Sequence, residues 1–101
     1  MINEEVARLV LKDVYDPELG INIIDLGLVY DIHIDGGKVY IKMTLTTPGC
    51  PIGPMLMADI KNILMLLDGV EDIEIEFVWS PPWTPDMMSD EAKDIMSYFH
   101  L

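Results

Sequence analysis

The sequence predicts an α+β fold: a two-layer sandwich of order α-β-β-α-β-α, with a three-stranded mixed sheet and its helices on one face. Three observations carry this. Three segments alternate apolar and polar residues, and each leaves one wholly polar face, so helices need cover only the other. Gly36-Gly37 between the first two segments supplies a tight hairpin turn. The third segment follows a long helical pattern, so it returns parallel to the second.

The first helix is expected over residues 4–13. Asn3 caps it, and Glu4 and Glu5 suit the positive end of its dipole. Val6, Leu9, Val10 and Val14 make its apolar stripe. Pro17 then drives Asp16 out of helical geometry. Strands follow over residues 28–34 and 38–46. The second helix spans residues 52–67, with Pro51 and Pro54 tolerated at its start. Leu56, Ile60, Ile63, Leu64 and Leu67 face inward, widened by Met55, Met57, Met65 and Leu66. The third strand covers residues 72–78. The stretch from Trp79 to Pro85 cannot be regular structure, and Ser89 caps a last helix.

Length and composition bound the rest. A chain of 101 residues, half of them hydrophobic, is read as a single domain over residues 1–101. One cysteine cannot form an internal disulfide, and no signal peptide or long apolar run is found. The expectation is a soluble protein of a reducing cytoplasm. The net charge of -12, from 18 acidic and 6 basic residues, repels phosphate backbones and anionic membranes. Either the charge serves solubility, the plainer reading, or basic proteins and cations are its partners.

Counting outward from Gly36-Gly37 sets Gly27 opposite Thr46 and Asp25 opposite Pro48, with a bulge shifting this by one residue. Four irregular segments then meet at one rim: residues 16–18, 25–27, 47–51 and 79–85. Cys50 lies just before a helix, where unpaired N–H groups favour its thiolate, while Asp25 opposes it. It is either a positioned, reactive thiol or a small core residue. Asp25 is either a local cap or a ligand. His33 lies at the far end and His100 almost at the terminus, so a Cys-His hydrolase fits poorly. One cysteine cannot hold an iron–sulfur cluster by itself. One thiolate, a carboxylate such as Asp25 and a partner's ligands could hold iron transiently, or two chains could each give one Cys50. Trp79 is expected to close the core and Trp83 to be able to anchor a partner. Met87 and Met88 are read as a packing hook.

The segments DPELGINIIDLGLVYDI, MTLTTPGCPIGPML and LDGVEDIEIEFVWSPPWTPDMMSDEAK resemble the small iron–sulfur assembly domain family that includes the SufT and PaaD-type proteins. The resemblance runs through nearly the whole chain. It implies an α+β fold and a non-enzymatic role in maturing iron–sulfur proteins, as cluster carrier, adaptor or targeting factor. It maps the family's motif cysteine onto Cys50, as metal ligand or transfer thiol. It maps the acidic and glycine positions of a second motif onto Asp25 and Gly27, which with Thr47 and Gly49 would assist or position the thiol. Asp16, Pro17 and Glu18 match a third motif, and Trp83 and Thr84 a fourth. The cargo it implies is an iron–sulfur cluster or iron, held transiently or not at all by the isolated protein. The partners it implies are the assembly machinery and apo client proteins. A homodimer pairing two Cys50 thiols is compatible with this. The alternatives are an adaptor in which Cys50 only packs, and a redox enzyme with Cys50 as nucleophile.

Overall fold

The computed structural model describes residues 2–46 and 52–99. Its elements are α1 (Glu4–Leu11), β1 (Tyr15–Asp16), β2 (Ile21–Asn22), β3 (Val29–Asp35), β4 (Lys38–Met43), α2 (Gly53–Leu64), β5 (Asp72–Phe77) and α3 (Asp90–Phe99). A 3-10 turn at Pro85–Met87 precedes α3.

Asn3 is the cap of α1, its Oδ1 accepting the Val6 N–H at 2.9 Å. The buried line of α1 runs through Ala7, Leu11 and Val14, not through Val6 and Leu9. Leu9 is 70% exposed. Of the expected stripe Val14 is buried and Val10 packs partly against the core, while Ala7, passed over for its small side chain, takes the place of Val6 and Leu9. On α2 the fully buried residues Leu56, Ile60 and Leu64 keep the expected spacing. Met55, Met65 and Leu66 do not widen that face: all three are exposed, Leu66 by 82%.

The sheet order is β3-β4-β5, with β3 antiparallel and β5 parallel to β4. Asp35 pairs with Lys38 across the glycine turn, and the register shifts between Val29 and Asp31, so Val29 faces Met43. That bulge moves the count from the hairpin by one residue. Ile32, Val39, Ile41, Met43 and Ile73 are buried, as are Ala7, Leu11, Leu56, Ile60 and Leu64 of the two helices.

The opposite face carries rows Asp31–Lys42–Glu76, His33–Tyr40–Glu74 and Asp35–Lys38–Asp72. Cations on the central strand thus lie between acids on both edges, an arrangement that favours cross-strand pairing. Lys38 Nζ is 3.8 Å from Asp72 and 4.9 Å from the Tyr40 ring centre. Tyr40, then Glu74, raises its pKa above the ordinary 10.5.

A second, two-stranded sheet was not expected: Tyr15 pairs with Asn22 and Asp16 with Ile21. Two-residue strands are too short to show an alternation, so only the folded chain reveals them.

Candidate functional site

Residues 22–28 form one helical turn with a cap at each end. Asn22 Oδ1 accepts the Asp25 N–H at 2.8 Å, and Asn22 Nδ2 donates to Asp25 Oδ2 at 2.6 Å. This is a reciprocal cap, N-cap to N3. At the other end the Leu28 N–H reaches the Ile23 carbonyl at 3.1 Å and the Gly27 N–H reaches Ile24 at 3.0 Å. Gly27 has φ +79°, so these two bonds make a Schellman closure around a left-handed residue. The residues that such a closure brings together, Ile23 and Leu28, are both fully buried. Asn22 is thus the cap of the turn, and the Asp25 carboxylate accepts from its side-chain amide.

A helical turn leaves its last carbonyls without partners. Here the Pro-rich strap, residues 80–89, supplies them. Trp83 Nε1 donates to the Leu26 carbonyl at 2.7 Å, and the Ser89 N–H to the Asp25 carbonyl at 2.7 Å. Tyr30 Oη donates to the Pro81 carbonyl at 2.8 Å. The Met87 carbonyl sits where a Cβ on Gly27 would have to go. Ser89 in turn caps α3, its Oγ accepting the Ala92 N–H at 3.1 Å. Met88 is buried, so the methionine pair acts as the expected hook.

The two tryptophans exchange their expected burial. Trp83 is half-buried and its N–H is engaged within the chain, while Trp79 is 45% exposed. Trp79 stacks on Phe77 at 6.4 Å between ring centres. A Cβ on Gly53 would lie 3.4 Å from Leu45 Cδ1 and 3.8 Å from Phe77 Cζ. So the first turn of α2 abuts the ends of β4 and β5, beside the exposed indole.

Asp16 is fully buried. Its Oδ1 accepts the N–H groups of Glu18 at 2.8 Å and Leu19 at 3.2 Å, and its carbonyl that of Gly20 at 2.8 Å. Pro17 and Glu18 are exposed on this turn. Among the described residues, Asp16 Oδ2 and the hydroxyl of buried Thr44 have no hydrogen-bond partner. Leaving such an atom unsatisfied costs about 1–3 kcal/mol, and a buried orphan in a folded chain calls for an explanation.

Thr47, Gly49 and Cys50 lie outside the described residues. The first turn of α2, entered from Ile52, carries no acidic residue, and among the described residues no side chain caps it. Thr84 is exposed on the strap. Among the described residues, no three His, Cys, Asp or Glu side chains group closely enough to hold a metal ion.

Of the expected site residues, the structure brings Asp25, Gly27 and Trp83 into one bonded unit. Asp16, Pro17 and Glu18 make a separate turn. Asn22, Tyr30 and the bond from the Ser89 N–H to Asp25 were not expected, although Ser89 was expected as the cap of α3. The spacing Asn22-x-x-Asp25, a capping pattern, was the available signal for the first. Nothing local marks Tyr30.

Comparison with known proteins places the chain among relatives. A sequence profile of the iron–sulfur cluster assembly protein family matches residues 4–77. The Fe-S protein maturation auxiliary factor SufT of Staphylococcus aureus is 51% identical over 81 residues, 79% of this chain and 92% of that protein. The factor YitW of Bacillus subtilis is 50% identical over 84 residues, 82% of each. A crystal structure of a domain of unknown function from Bacillus anthracis superposes with a TM-score of 0.89 at 40% identity, covering 93% of this chain and 91% of that one.

Proposed function

Because this chain belongs to the iron–sulfur cluster assembly protein family, we propose that it is a non-enzymatic maturation factor that passes iron–sulfur cargo, or the client that receives it, through Cys50. The observation that carries this reading is its 51% identity over 92% of the length of a maturation factor. In this reading residues 1–101 act as one domain in the cytoplasm, with the assembly machinery and apo client proteins as partners. No helix among the described residues is long and apolar enough to cross a membrane.

Cys50 is the chain's one thiol, so a cluster held through it takes its other ligands from a partner or a second copy. α2 begins at Gly53 with no acidic residue in its first turn, and a thiolate is the form of cysteine that ligates metal. Asp25 and Gly27 act by positioning: they hold the helical turn and the strap together. In this reading Thr47 and Gly49 assist the thiol. Asp16 holds its turn through Oδ1, and Pro17, Glu18 and Thr84 are exposed on their loops.

The test is complementation of a strain lacking the factor, read as the activity of a [4Fe–4S] enzyme. Cys50→Ser is expected to fold and to fail. Full rescue by that variant would remove the thiol from the account. Anaerobic reconstitution with iron and sulfide separates carrier from adaptor: a carrier shows cluster absorbance that Cys50→Ser loses. The exposed indole of Trp79 favours the adaptor as second reading. Under it, Cys50 reacts with thiol reagents only at the rate of unfolding.

A further inference from the structure

We infer that the groove between the end of α1 and the outer side of α2 docks a basic, amphipathic segment of a partner protein. The groove has a volume of about 500 Å³. Val14 and Ile63 line it together with Tyr15 and Leu66, and Asp13 and Asp59 contribute carboxylates. Leu66 and Tyr15 are exposed there, and Leu66 is among the most exposed large apolar side chains described. Leu9, also exposed, lies four residues before Asp13. Asp59, Ile63 and Leu66 recur at the spacing of one helix face.

Charge selects the occupant. Among the described residues, the groove lining includes two carboxylates and no cation. Lys61, the lysine of α2, lines a different hollow with Met65, Glu71 and Asp72. A second copy of the chain brings another -12 charges to the same place, so self-association is opposed by repulsion. A helix with leucine-like side chains flanked by Lys or Arg satisfies both the apolar floor and the acidic rim. This surface is distinct from the rim built by Asp25, Gly27 and the strap.

The test uses the full chain and a labelled synthetic 18-residue helix of Leu and Lys, with two controls: a Leu/Glu twin and a Lys/Ser peptide of the same charge. Binding is followed by anisotropy at two salt concentrations. The Leu/Lys peptide is expected to bind and both controls to fail. Leu66→Ser should weaken binding about tenfold, the cost of one leucine left in water. Asp59→Lys should weaken it and reduce its salt dependence. Ile95→Ser, an exposed apolar site on α3, should change nothing. Unaltered binding by Leu66→Ser, or equal loss in Ile95→Ser, overturns the inference. So does equal binding of the Lys/Ser peptide, which means attraction by net charge alone. A dimer in sedimentation that Leu66→Ser dissolves gives the groove to a second copy instead.

Discussion

Replacing Gly27 by alanine tests how the candidate site is held together. The substitution meets two obstacles. First, φ is +79°, a left-handed conformation that costs a residue with a Cβ about 1–2 kcal/mol. Second, the new Cβ overlaps the Met87 carbonyl, which belongs to backbone and cannot rotate aside. The strap must move, and the bonds from Trp83 to Leu26 and from Ser89 to Asp25 go with it. At about 1 kcal/mol each, these bring the total to about 3–4 kcal/mol. For a domain of this size that lowers Tm by roughly 12–30 °C. Gly20 supplies the control: its φ is +70° and a Cβ there meets nothing within 4 Å. Gly20→Ala should therefore lose only the conformational cost, about 1–2 kcal/mol. Urea denaturation followed by circular dichroism measures both. If the two variants lose the same stability, the strap is not anchored through Gly27 and the reasoning fails.

Further outcomes follow from the same geometry. Trp83→Phe should destabilise by about 1–2 kcal/mol by leaving the Leu26 carbonyl without its donor, whereas Trp79→Phe should stay within about 0.5 kcal/mol; denaturant melts of the pair check the exchange of burial. Asp16→Ala should cost about 2–3 kcal/mol through two lost turn bonds, and Asp16→Asn, which keeps the accepting oxygen, about 1 kcal/mol; equal losses would contradict the turn. Because Tyr40 and Glu74 raise the pKa of Lys38, its stabilising contribution is fully present below 10.5 and is lost as pH rises through the higher folded value. Lys38→Met should thus flatten the alkaline limb of the stability curve above pH ~10.5 and leave the slope near neutrality unchanged, as read from melts across that range.

Much of the architecture was legible locally. The cap at Asn3, the hairpin at Gly36-Gly37, the parallel return of β5 and the cap at Ser89 each depend on a few adjacent residues. So does the buried spacing of Leu56, Ile60 and Leu64. Backbone propensity and periodicity act over such distances, so they can be read without knowing what packs where. The family motifs were legible for the same reason, since each is a short run.

What the sequence by itself determined was therefore the order of elements, the polar face of the sheet and the residues worth watching. The tertiary structure alone decided which of them bond to which. Trp83 rather than Trp79 meets the Leu26 carbonyl because the strap folds back over a turn 57 positions away. Val6, Leu9 and Leu66 stay at the surface, and Asp16 is sealed inside. The identity of a side chain states what it would cost to bury, but only the meeting of distant segments settles whether water is excluded there.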